Sequence, residues 1–306
     1  MVTVGTFDGF HLGHRAVVER LVAAAREADL PSVLLTFDPH PLQVVRPEHV
    51  PPLLTPGVER LEVLADSGVD RVAVMPFNRE LSRLTAEEFV DRVLIGTLGM
   101  AELLIGHDHG FGRGRAGDAD TLREIGARRG FGVEVVPPVL DGAHGALSST
   151  LIRRLVQEGD LSAALALTGR PYGVLGTVVP GAGRGRTIGF RTLNLSLADG
   201  RKLLPPRGVY AVRAWTPDGP FGGMLNFGAR PTFGDDTIGL EAHLFDVDRD
   251  WYGSLVRLEF LERLRDVQRF PDADALRRQL VADEREARAA LTRFSASGNL
   301  SSSALS

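Results

Sequence analysis

With 306 residues, 43% apolar content and a formal net charge of −4, the chain is long enough for two globular domains and too apolar for a disordered one. So mild a charge gives no electrostatic footprint for nucleic acid, and no polybasic run suggests a membrane surface. Cysteine is absent, which excludes disulfides, thiolate zinc sites and a cysteine nucleophile and fits a reducing cytoplasm.

No apolar stretch approaches the roughly 18 residues that span a bilayer, and the opening MVTVGTFDGF lacks a signal-peptide pattern. Short apolar runs at Val2-Thr3-Val4, Ser32 to Phe37, Arg71 to Met75, Glu102 to Ile105 and Val133 to Val136 read as buried strands. Between them, Val17, Val18, Leu21, Val22 and Ala25 recur at helical spacing, as do Phe89, Val90, Val93 and Leu94. This alternation predicts an α/β domain with a Rossmann-like parallel sheet covered on both faces. Its ligands are expected beyond the carboxyl ends of the strands. The pattern changes at the breaker-rich Thr168-Gly169-Arg170-Pro171, where the domain boundary is set: residues 1–169, then 170–294. Strand-like runs follow at Tyr172 to Val179, Gly208 to Trp215, Gly223 to Phe227, Gly239 to Phe245 and Leu255 to Phe260. They predict a small antiparallel β-barrel or sandwich. A helix over about Ala273 to Phe294 closes it, and the Ser-rich 295–306 reads as a disordered tail.

Four motifs in the first half carry chemistry. Gly5-Thr6-Phe7-Asp8-Gly9-Phe10-His11-Leu12-Gly13-His14 lies between the first strand and the first helix. Two imidazoles there can face a phosphate at the helix N-terminus, where free N–H groups and the dipole favour negative charge. The same string also makes a glycine turn with two capping histidines. Thr36-Phe37-Asp38-Pro39-His40-Pro41 ends the second strand in a proline-stiffened loop. Gly106-His107-Asp108-His109-Gly110-Phe111-Gly112-Arg113-Gly114-Arg115 follows a later strand and suits phosphate contact. Its His-Asp-His run is not expected to hold a metal, because adjacent loop residues seldom converge. Ser148-Ser149-Thr150-Leu151-Ile152-Arg153 can N-cap a helix, with Arg153 one turn in as a clamp for triphosphate.

In this order the four resemble the HxGH nucleotidyltransferases, and more narrowly the adenylyltransferase half of prokaryotic bifunctional riboflavin kinase/FAD synthetases. The second half extends the resemblance. Gly181 to Leu195 (GAGRGRTIGFRTLNL) is similar to a glycine-rich stretch ending in G-F-P-T-A-N-L. Asn226-Phe227-Gly228-Ala229-Arg230-Pro231-Thr232 and Glu241-Ala242-His243-Leu244-Phe245-Asp246 are similar to the family's N-x-G-x-R-P-T and E-x-H-L-F-D. The resemblance implies a transferase with two activities: phosphorylation of riboflavin to FMN, and adenylylation of FMN to FAD with release of pyrophosphate. ATP, riboflavin, FMN and FAD are then substrates or products, with Mg²⁺ as cofactor. It implies that His11, His14 and Glu241 are catalytic, and that Thr192 and Asn194 hold the metal. For the nucleotide it implies Gly5, Phe7, Asp8, Gly9, Gly13, Gly106, Asp108, Ser148, Thr150, Arg153, Gly181, Gly185 and Thr192. For the flavin it implies Phe37, Pro39, His40, Phe111, Asn226 and Arg230.

Several positions depart from the family pattern: Thr6, His109, Gly110, Leu151, Leu193, Val267 and above all Arg191, which stands where proline is usual. The first motif lies so near the amino end that a preceding strand or turn is expected to be missing. Arginine at 191 gives up the fixed φ of proline and adds a charge within reach of a nucleotide phosphate. One alternative is therefore a FAD synthetase alone, with a degenerate kinase half kept for flavin binding or regulation. The other, a flavin-binding regulator without turnover, has little need of the HxGH run or Glu241.

Overall fold

The structure is a computed structural model that describes residues 1–181, 189–229 and 238–296. Contacts divide the chain into two compact units, Met1–Ile152 and Arg153–Ser306.

The first unit alternates strand and helix in the expected order. In chain order it contains β1 (Val2–Val4), α1 (Leu12–Glu27), β2 (Val33–Asp38), α2 (Pro41–Val45), α3 (Val58–Ala65), β3 (Arg71–Pro76) and α4 (Ala86–Phe89). After these come β4 (Glu102–Gly106), α5 (Ala119–Arg129), β5 (Gly132–Val136), a hairpin of β6 (Leu140–Asp141) with β7 (Gly145–Ala146), and the start of α6 (Ser149–Glu158). The parallel sheet has the order β3-β2-β1-β4-β5. Strand residues are apolar on both sides because both faces are covered. Leu35, Phe37, Leu103 and Ile105 pack with Phe89, Val90, Leu94 and Leu122 on one face. Leu34 packs with Val18 and Leu64, and Leu104 with Val17 and Leu21, on the other. The expected helix around Phe89 continues from α4 as a π-helical turn, Val90–Ile95. The wider turn keeps Phe89, Val90, Val93 and Leu94 all buried. Strand order reverses between β1 and β4, so the crevice at their carboxyl ends is the ligand-binding switch point of such a sheet. The first and third motifs leave from those two strand ends.

In the second unit, α7 (Leu161–Thr168) is capped by Asp160, whose Oδ1 accepts from Ala163 N at 2.9 Å, and by left-handed Gly169. The barrel strands are β8 (Gly173–Val179), β9 (Leu193–Leu197), β10 (Gly208–Thr216), β11 (Gly219–Ala229), β12 (Ile238–Leu244) and β13 (Leu255–Arg265). They close in the order β10-β11-β12-β9-β8-β13, all antiparallel. A barrel, not a sandwich, is what forms. Tyr210, Val212, Leu225, Ala242 and Leu258 are completely buried. The alternate residues Ala211 and Met224 pack against Ala287 and Ala290 of α8 (Ala273–Ala296). That helix is pinned to β13 by Asp283, 1% exposed, which accepts from Arg265 at 2.8 and 2.6 Å and from Gln279 at 2.8 Å. Removing Asp283 would strand a largely buried guanidinium, at a cost of about 3–5 kcal/mol. The helix runs two residues into the segment expected to be a tail, with Ser295 Oγ donating to Leu291 O at 3.0 Å. Residues 297–306 lie outside the described residues. Contacts divide the chain ahead of the breaker-rich Thr168–Pro171, because α7 packs on β13.

Candidate active sites

At the exit of β1 the backbone is forced into rare conformations. Phe7 has φ 48° and Phe10 φ 37°, left-handed values that cost non-glycine residues on the order of 1–3 kcal/mol each. The loop is held from outside. Asp8 is 2% exposed, and its carboxylate accepts from Leu54 N (3.1 Å) and Thr55 N (2.8 Å). Thr55 Oγ1 accepts from Gly9 N at 2.8 Å, and Ser149 Oγ donates to Asp8 O at 2.8 Å. Asp8 thus spends its carboxylate on shaping the loop.

The two histidines stack, with ring centroids 3.9 Å apart and planes 19° apart. His11 caps α1, its Nδ1 accepting from His14 N at 3.4 Å. With Nδ1 an acceptor, the proton of the neutral ring sits on Nε2. A Cβ at Gly13 would lie 3.0 Å from His11 Nδ1, so the residue between the histidines has no side chain. Burial pushes the His11 pKa down to about 4, against the opposing pull of Asp108 and Asp8. Asp108 therefore brings the third motif into the electrostatic range of the first.

Unfolded His11 takes a proton as pH falls through 6.5, whereas the native ring does so only near 4. Its contribution to stability is constant above 6.5 and is lost progressively between 6.5 and 4. By pH 4.5 that loss is on the order of 2–3 kcal/mol. Denaturant unfolding at pH 7.5 and 4.5 should show His11→Gln losing less stability than wild type by about this amount. Equal losses in the two proteins would mean that His11 is not kept neutral by the fold.

Around this centre, His40 caps α2, its Nδ1 accepting from Leu42 N at 3.2 Å. Ser148 caps α6, its Oγ accepting from Leu151 N at 3.2 Å, and Thr150 is exposed on the same first turn. Phe37 and Phe111 sit in the core cluster, both tilted against Phe89 with ring centroids 6.2 and 4.9 Å away. Among the described residues, no group of His, Asp and Glu is arranged to hold a metal ion. Three residues outside the expected site set hold this loop and its neighbours. Ser149 and Thr55 tie the loop to distant chain, and Arg60, 3% exposed, donates to Phe37 O at 2.7 Å and Thr6 O at 3.4 Å. Arg60 so links the ends of β1 and β2, and its signal was a charge among the apolar positions of α3.

On the barrel, Asn226 of β11, Glu241 of β12 and Asn194 of β9 are directly opposed in register. Directly opposed antiparallel residues point to one face, about 4.5–5.5 Å apart. It is the outer face, because Met224 and His243 two residues away occupy it together with α8 and Phe190. Asn194 is 5% exposed, and a Cβ at Gly181 would lie 2.0 Å from its Nδ2. Only glycine at 181 leaves room for that amide. Gly185, Arg230, Pro231 and Thr232 lie outside the described residues. The expectation that the Arg191 charge reaches a phosphate is corrected: its guanidinium pairs with Asp248 and Asp250.

Residues 1–151 match the family model for FAD synthetase, and 168–291 the one for riboflavin kinase. Proteins named bifunctional riboflavin kinase/FMN adenylyltransferase align over 94% of the chain. The one from Escherichia coli K12 is 37% identical, with 91% of its length covered. Those from Pseudomonas fluorescens and Bacillus subtilis are 38% and 32% identical, with 92% and 91% covered. A crystal structure described as a macrolide-efflux protein from Streptococcus pneumoniae superposes with TM-score 0.83 at 34% identity, covering 94% of this chain and 93% of that one. Among the described residues no helix is long and apolar enough to cross a membrane. The chain belongs to the bifunctional riboflavin kinase/FMN adenylyltransferase family.

Proposed function

We infer that the chain makes FMN from riboflavin and ATP in its second unit and FAD from FMN and ATP in its first. Agreement with both family models, together with whole-length relatives of that double activity, carries this reading over a FAD synthetase alone. Incubation with riboflavin, ATP and Mg²⁺, followed by chromatography, should yield FMN and FAD. FAD formed from added FMN, without any FMN formed from riboflavin, would leave only the first activity.

In adenylyl transfer the FMN phosphate attacks the α-phosphorus of ATP and pyrophosphate leaves. No covalent intermediate with the enzyme is needed, so the work is positioning and charge stabilisation. His11 Nε2–H and His14 contact the phosphates at the N-terminus of α1. Gly5, Phe7, Gly9, Gly13, Gly106 and Asp108 line the nucleotide site, and Asp8 shapes it. Ser148, Thr150 and Arg153 steady the β- and γ-phosphates. Pro39 and His40 face the flavin, with Phe37 and Phe111 as the wall behind. In the barrel, Glu241 orients or deprotonates the ribityl 5′-hydroxyl, Asn226 and Arg230 hold the flavin, and Gly181 and Gly185 admit the nucleotide. Thr192 and Asn194 offer the hard oxygen donors that suit Mg²⁺, and the space left at Gly181 for the Asn194 amide supports that fit. When bound, the ion neutralises phosphate charge. We assign the protein to the cytoplasm, which its cysteine-free composition and its need for ATP support.

We also propose residues 1–169 as the adenylyltransferase domain and 170–294 as the kinase domain. A chain ending at Gly169 should fold and make FAD from FMN. One ending at Ile152 cuts α6 in mid-helix, before the buried Leu155 and Val156, and should not. Insolubility of the 169-residue piece, under conditions where the full chain is soluble, would move the boundary.

A further inference from the structure

Arg191 directly precedes Thr192 and lies three residues before Asn194, and it is held at two points. Its guanidinium pairs with Asp248 through Nη1 and with Asp250 through Nη2. Its carbonyl oxygen accepts from His243 Nδ1 at 2.7 Å, so that nitrogen carries the proton. His243 shares the outer barrel face with Glu241, two residues earlier on β12, and its ring edges Phe190 (5.1 Å) and Phe245 (5.8 Å). The segment bearing the two aspartates is itself anchored. At one end Arg288 of α8 donates to both oxygens of Asp246 at 2.8 Å and lies over the Phe245 ring. At the other, Trp251 is 6% exposed, and its Nε1 donates to Asp218 at 2.8 Å; Arg249 donates to the same carboxylate at 2.7 Å.

We propose that Asp248 and Asp250 are positioning residues for the kinase reaction: through Arg191 they fix the backbone that presents Thr192 and Asn194 beside Glu241. This rests on the kinase reading above. The physical reason is entropic. A residue with a free φ before the two polar donors leaves them several orientations to lose. A planar guanidinium forked between two carboxylates, with its own carbonyl tied to β12, removes that freedom by tertiary contact. Arginine suits the fork, because its planar guanidinium holds its donors in fixed directions, whereas the three donors of an ammonium rotate. Among the described residues the guanidinium is paired with these two carboxylates.

The test uses the full chain with D248N/D250N, R191M and the combined triple variant. Rates of FMN formation, rates of FAD formation from FMN, and amide exchange of residues 190–197 without nucleotide are measured in each. D248N/D250N and R191M should each lower kcat for FMN formation about tenfold, with riboflavin KM little changed. The triple variant should be no worse than R191M, since all three side chains act as one unit. Exchange over 190–197 should quicken in every variant, and FAD formation should stay at the wild-type rate. Wild-type kcat and exchange in D248N/D250N, or additive losses in the triple variant, overturn the proposal. A wild type that makes no FMN instead sinks the kinase reading, and the exchange measurement still decides whether the tether orders the segment.

Discussion

His14→Ala should cut the rate of FAD formation from FMN by at least ~10-fold, and leave FMN formation from riboflavin unchanged in the same preparation. Removing one preorganised donor from a developing phosphate charge typically costs ~10²–10³ in rate. The His14 ring lies in the first turn of α1, stacked on His11 at 3.9 Å and edge-on to Phe7 at 5.2 Å. It is half-buried and adds little to the core, so truncation should cost on the order of 1 kcal/mol of stability. His11 is the less clean target, because its Nδ1 also caps α1 and its ring fills the space over Gly13. Measuring both activities and the Tm of the variant separates chemistry from folding. Unchanged FAD synthesis would remove His14 from the phosphate site.

The parallel strands were legible because burial on both faces leaves unbroken apolar runs, and strand-to-helix punctuation put the first and third motifs at strand ends. What closes the site was not legible. Asp8 meets Leu54 and Thr55, Ser149 reaches back to Asp8, and Arg60 joins Thr6 to Phe37. Each link spans dozens of residues, and nothing in local spacing announces it. The row Asn226, Glu241 and Asn194 depends on register across three strands, and β9, one of the three, went unread behind its glycine-rich approach. At Arg191 the sequence showed only a lost proline. Its partners stand 57 and 59 residues downstream, at Asp248 and Asp250. The lone residue type therefore suggested a free cation where the fold supplies a tether.

Glu241→Gln should abolish FMN formation and leave FAD formation from FMN at the wild-type rate. The substitution keeps the size and much of the hydrogen-bonding surface of the side chain while removing its capacity to take a proton. Loss of a positioned general base costs ~10²–10⁴ in rate. The geometry concentrates the loss in kcat. Glu241 lies between Asn226 and Asn194 on adjacent strands, so the proposed base, the proposed flavin contact and the proposed metal ligand share one row. Strand pairing holds that row in place whatever the side chain at 241, and α8 continues to cover the same barrel face through Ala287 and Ala290. Binding of riboflavin and ATP should therefore survive, and their KM values should move little while kcat collapses. The matched comparison is kcat and KM for FMN formation in wild type and variant, with FAD formation as the control in the same chain. A variant that phosphorylates riboflavin as fast as wild type shows that Glu241 is not the base. A rise in KM with kcat preserved shows that it binds substrate and leaves the proton to another group.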